Sequence, residues 1–138
     1  MKNSHLHLFP LLILSTLVFV SCESRDGDWE SMKWETDVKM DKEKVITVPV
    51  NGGTYVFKCK NYGSFWLSAV LEDDKDICID NKNWENAIGE WSSVNIEKNV
   101  MTVIVSPNDS NHSRILKITP TAGDIFSYFS FNQAGKND

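Results

Sequence analysis

The chain has 138 residues, 19 acidic against 14 basic side chains and a formal net charge of −5, with 41% hydrophobic and 11% aromatic residues. A chain of that sign is repelled by phosphates, and no Lys/Arg stripe offsets the repulsion, so nucleic acid is excluded as a partner. The apolar content is too high and too regularly spaced for a disordered chain.

The first seven residues carry one lysine, and residues 8–20, LFPLLILSTLVFV, carry no charge. This run is shorter than the ~20 apolar residues that span a bilayer, ends at the small Ser21, and is followed by acids, which is the pattern of a cleaved signal peptide over residues 1–21. Ser21-Cys22 resembles the lipobox of bacterial lipoproteins, although Phe19 stands where that family places Leu, Val or Ile. The resemblance implies that the Cys22 thiol receives a lipid and becomes the new N-terminus; the alternative is an ordinary secretory signal with Cys22 left as a thiol. Two or three acyl chains, at about 0.8 kcal/mol per buried methylene, hold a protein on a membrane without a spanning helix. Residues 22–31 read as an acidic tether. Glu23, Asp26, Asp28 and Glu30 look like the signal that sends Bacteroidetes lipoproteins to the outside of the outer membrane.

Removing residues 1–21 leaves enough chain for one domain, 32–138, and not for two. Three cysteines are an odd count in an exported chain. Lipidation of Cys22 leaves Cys59 and Cys78, either as a disulfide closing a loop of about 20 residues, stabilising by roughly 3 kcal/mol, or as two free thiols packed as small hydrophobes.

Beyond the tether the hydrophobic period is two. Met32, Trp34, Thr36, Val38 and Met40 alternate with polar residues, which predicts a half-buried strand. VITVPV at 45–50 leads to the turn Asn51-Gly52-Gly53, and Pro49, which cannot donate to a ladder, places that strand at an edge or a bulge. TYVFKCK then puts Tyr55, Phe57 and Cys59 on one face. Further strands are predicted at 65–71, 77–80, 93–96, 100–106, 114–119 and 125–131, with turns at 72–76, 97–99, 107–113 and 121–124. Residues 81–91, NKNWENAIGEW, suggest a helical turn through the spacing of Trp84, Ile88 and Trp91. The expected fold is all-β, an antiparallel β-sandwich of about seven to eight strands.

The order NGGTYVFKC, NYGSFWLS, MTVIVSPNDSNHSR and TAGDIFSYFSFNQAG resembles the BACON domain, the Bacteroidetes-associated carbohydrate-binding often N-terminal module, over roughly residues 40–135. The resemblance implies an immunoglobulin-like sandwich and carbohydrate contact. It is carried by the Gly52-Gly53 turn, the Asn108 to Arg114 segment and the closing strand to Gln133, none of them catalytic. The long 72–91 stretch departs from the family pattern, and the module is expected to stand without an attached enzyme domain.

The chemistry-bearing residues are sparse. His112 is the one histidine outside the leader and sits in a polar turn without a serine-elbow motif, so no catalytic residues are assigned. Cysteine and histidine lack zinc spacing, and DDKDICID lacks the glycine and terminal glutamate of a calcium loop, so neither metal nor cofactor is expected. Sugars pack C–H faces on exposed rings beside polar groups. By position in alternating strands, Trp34 and Trp66 read as core. Trp84 and Trp91, with Asn83 and Glu90, read as the candidate glycan platform, the alternative being that both rings cap the sandwich end. The sequence therefore points to a lipid-anchored, outer-membrane, cell-surface binding module for glycan or glycoprotein, or to a spacer lipoprotein that engages another envelope protein through an edge strand.

Overall fold

The computed structural model describes residues 29–137; the expected signal peptide over 1–21, Cys22 and the expected tether as far as Asp28 lie outside them. Among the described residues there is no helix, and two sheets face each other across a continuous apolar core. The first sheet runs β1 (Trp34–Glu35), β3 (Gly53–Cys59), β8 (Val100–Val105), β7 (Ser92–Glu97), β6 (Asn86–Ile88). The second runs β2 (Val45–Val48), β11 (Phe129–Gln133), β9 (Arg114–Ala122), β4 (Trp66–Glu72), β5 (Lys75–Asp76), with β10 (Ile125–Phe126) continuing the hairpin on β9. Strands three, eight and seven against strands four, nine and eleven reproduce the immunoglobulin arrangement of two sheets.

Period-two patterning accounts for the layers. Phe57, Met101, Val103, Val94, Ile96, Leu116, Ile118 and Phe131 point inward and are at most 2% exposed, because successive side chains of a strand alternate between faces. Trp34 reaches into this core edge-on to Phe65 and Phe129 (ring centroids 5.2 and 5.1 Å) and donates its indole N–H to Ser127 Oγ at 3.0 Å. That donor bond removes the cost of burying the ring nitrogen.

The turns follow the residues that punctuate them. Asp73 and Asp74, both at positive φ, close a two-residue hairpin between β4 and β5, as a type I′ turn requires. Gly52 takes φ +74° between β2 and β3, where a Cβ would collide with the carbonyl of Val105.

Among the described residues there are eleven strands, of which eight are three residues or longer, in line with the seven to eight expected; the others are two-residue ladders. Three expectations are corrected. The alternation of Met32 to Met40 is kept in burial, but only Trp34 and Glu35 pair, against Cys59 and Lys58. Residues 77–80 contribute one isolated bridge, Ile79 to Ala87, instead of a strand. The helical turn expected in 81–91 is limited to its start: the Trp84 N–H closes one turn onto the Asp80 carbonyl, Trp84 then takes φ +56°, and the chain leaves as β6. One pairing is parallel, β2 on β11, and it puts the Pro49 strand at the sheet edge as its missing donor demands.

Candidate functional site: the outer face of the second sheet

The outward side chains of β9 are those between its buried ones. Leu116 and Ile118 point into the core, so Lys117, Thr119 and Thr121 point out. Register extends this face sideways. Thr121 pairs with Trp66 on β4 and with Phe126 on β10, so the three share one row. Thr119 pairs with Ala69 on β4, and on its other side the unbroken hairpin register brings Tyr128 opposite it. Trp66, Phe126 and Tyr128 are 38%, 46% and 66% exposed, while Thr121 between the first two is 3% exposed. The outcome is a floor of small residues flanked by aromatic rings. Next to it, a shallow cavity of about 220 Å³ is lined by Leu71, Lys117, Thr119, Tyr128 and Ser130, with Glu43 at its rim. Lys117 Nζ lies 2.6 Å from Asp74 Oδ1 across the exposed face.

Trp84 borders this face. Its carbonyl accepts the Leu67 N–H at 2.7 Å, which sets its backbone one strand spacing from the start of β4, and its side chain is 52% exposed. Asn83 beside it is held by its own side chain, which donates to Glu85 Oε2 at 2.6 Å and accepts the Glu85 N–H at 3.3 Å.

The other end of the sandwich is built differently. Glu72 is buried and its carboxylate accepts the N–H groups of Glu90 and Trp91 (3.0 and 3.1 Å) and the hydroxyl of Ser92 (2.6 Å). The Arg114 guanidinium stacks 4.2 Å from the Trp91 ring centroid, a cation–π contact. Burial lowers the Arg114 pKa, and the negative charges of Glu72, Asp73 and Asp109 act in the opposite direction. Behind it, Asn108 is fully buried and donates to the carbonyls of His112 and Ala134, while Gln133 donates to those of Pro49, Val50 and Ser106. Asn108, Arg114 and Gln133 thus serve to close this end. A cavity of about 400 Å³ lies against Glu72, Glu90, Trp91 and Cys78.

The predicted quartet is therefore split. Asn83 and Trp84 lie at the Trp66 end, whereas Glu90 and Trp91 lie beyond the far end of β7, about 20 Å away at the ~3.3 Å rise of a strand. Trp84 and Trp91 form no common platform. Trp91 is half-buried against the core, as a cap. Trp34 is core as expected; Trp66 is not, because a register shift between Leu67 and Ala69 re-phases β4 and leaves Trp66 facing out. Phe126 and Tyr128 were not singled out by sequence. Their signal was there in IFSYFSF, where an aromatic at every position but the serines and Ile125 puts rings on both faces of one strand.

The Cys59–Cys78 disulfide does not form. Both thiols are free, Cys59 buried and Cys78 exposed. Cys59 ends β3, while Cys78 adjoins the Ile79 bridge beyond β6, four strand spacings or about 19 Å across the sheet, against the Cα separation of under ~7 Å that a disulfide needs. His112 is exposed in the loop before β9.

Among solved structures, the chain is similar to the NMR structure of a protein from Bacteroides thetaiotaomicron, at 35% sequence identity and a TM-score of 0.72, over 82% of this chain and 94% of that one. No protein-family model and no curated protein matches it.

Proposed function

The chain belongs to the same family as that Bacteroides thetaiotaomicron protein, and we propose that it is a non-catalytic binding module, lipid-anchored through Cys22 in the outer membrane and turned to the cell surface, that contacts glycan or glycoprotein. The observation that carries the reading is the row Trp66–Thr121–Phe126 with Tyr128 beside it: three exposed rings on one face of a sheet, around the buried Thr121. Rings on a strand lose little further entropy on binding, and a face of that kind suits the C–H surface of a sugar. The resemblance to the BACON domain supports carbohydrate contact, with Trp84 and Asn83 at the border of the site and Trp91 and Glu90 outside it. The leader ending at Cys22 supports the anchor.

A glycan array probed with the protein and with Trp66→Ala, Phe126→Ala and Tyr128→Ala tests the site. Each truncation is expected to weaken binding about tenfold, or ~1.4 kcal/mol; unchanged binding in all three rejects the placement. Palmitate labelling that survives Cys22→Ser rejects the anchor. A second reading, a spacer that engages an envelope protein, is favoured by Val56, Ile104 and Ile88, which stand 48%, 48% and 80% exposed on the outside of the first sheet up to its β6 edge. Loss of a co-purifying envelope protein on Ile88→Lys, with glycan binding absent, would select it.

A further inference from the structure

The outer face of the second sheet is longer than it is wide. Thr121, Thr119 and Lys117 occupy three successive outward rows of β9, so the face runs four residue steps along the strand, about 13 Å at ~3.3 Å per step. In the first row Trp66 and Phe126 stand two strand spacings apart, about 10 Å, with Thr121 between them. In the second, Tyr128 stands on one side of Thr119 and the small Ala69 on the other. In the third the cavity opens beside Lys117 and Ser130. Threonines on the midline with rings beside them in the first two rows, continued by Lys117 between Leu71 and Ser130 in the third, make a trough parallel to β9. A single pyranose, a ring of about the size of a phenyl ring, covers one row and leaves the others in water.

The charge along the trough is compensated. Of the residues lining the cavity, Lys117 is ion-paired with Asp74 at 2.6 Å and Glu43 is an acid, so the lining offers an anionic ligand no unpaired cation and one carboxylate that repels it. The hydroxyls of Thr119 and Ser130 are neutral groups suited to sugar hydroxyls.

We infer that this face takes a linear, uncharged oligosaccharide laid along β9 and spanning at least three sugar rings. The inference rests on the glycan reading above and adds to it the length, the charge class and the direction of the ligand.

The test is isothermal titration of the detergent-solubilised full-length protein with linear gluco-, manno-, xylo- and galacto-oligosaccharides of one to six units, with heparin and polygalacturonate as anionic comparators. In at least one neutral series, affinity is expected to rise at least about tenfold from one unit to three and then to level off. Raising sodium chloride from about 50 to about 500 mM should change that affinity less than about twofold, because screening acts on charge pairs. Thr119→Trp, which plugs the midline, should abolish binding of the trisaccharide while the far-ultraviolet circular dichroism stays that of the parent. A monosaccharide bound as tightly as the hexasaccharide overturns the length, and preferential, salt-sensitive binding of heparin overturns the charge class; in both cases the glycan reading stands. No binding of any of these probes overturns both.

Discussion

Replacing Gln133 with leucine tests the closure of the sandwich. Gln133 is 1% exposed at the end of β11, and its Nε2 lies 3.0, 3.1 and 3.0 Å from the carbonyls of Pro49, Val50 and Ser106, while its Oε1 accepts Arg114 Nε at 2.7 Å. One side chain therefore ties the first long strand, the closing strand and the end of β8. Leucine has nearly the same volume, so no cavity is added, and the cost is in hydrogen bonds. Each carbonyl keeps a second donor: Gly52 N–H on Pro49, Asn108 N–H on Val50 and Arg114 Nη2 on Ser106. What is lost is two amide donor bonds at about 1 kcal/mol each and one charge-assisted bond at about 2 kcal/mol, so Gln133→Leu should destabilise by roughly 4 kcal/mol. In a domain of this size that lowers Tm by roughly 15–20 °C. Urea unfolding followed by tryptophan fluorescence, with a differential scanning trace alongside, measures it. A loss below about 1 kcal/mol would refute the claim that this node closes the fold.

Three further outcomes are expected. Gly89→Ala puts a Cβ into the Glu72 carboxylate, forcing it off the Glu90, Trp91 and Ser92 donors, and should cost at least about 3 kcal/mol by urea unfolding. Burial raises the pKa of Tyr55 above its ordinary 10.0. Its contribution is therefore fully present below pH 10.0 and is lost as pH rises through the folded value, so parent and Tyr55→Phe stability curves should converge or cross only above pH 10.0. Trp84→Asn should leave stability within about 1 kcal/mol, since asparagine tolerates the left-handed backbone that tryptophan resists, yet weaken glycan binding on the array, whereas Trp91→Ala should lower stability and spare binding.

Alternation made the two layers legible, down to which residues of 32–40 point inward, because burial of one face needs nothing beyond the pleat. The same alternation does not say which face is wet when both carry rings, and a bulge such as that at Leu67–Ala69 re-phases it silently; Trp66 was assigned to the core for that reason. The spacing of Trp84, Ile88 and Trp91 imitates a helix, but a positive φ at Trp84 turns the chain into a β edge and carries the two indoles to opposite ends. Likewise the 20-residue interval between Cys59 and Cys78 contains nothing about the strands that come to lie between them. The arrangement on β9 depends on non-local register, where Trp66 and Ala69 of β4 meet Thr121 and Thr119 far later in the chain, and no local pattern encodes that.

The most direct measurement is a two-dimensional ¹⁵N correlation spectrum of the protein titrated with a neutral linear hexasaccharide. Shifts are expected at the amides of Thr119, Thr121, Phe126 and Tyr128 and at the Trp66 indole, with the first sheet unmoved. Shifts gathered instead around Glu72 and Trp91 or on the first sheet, or no shifts at all, would contradict the account.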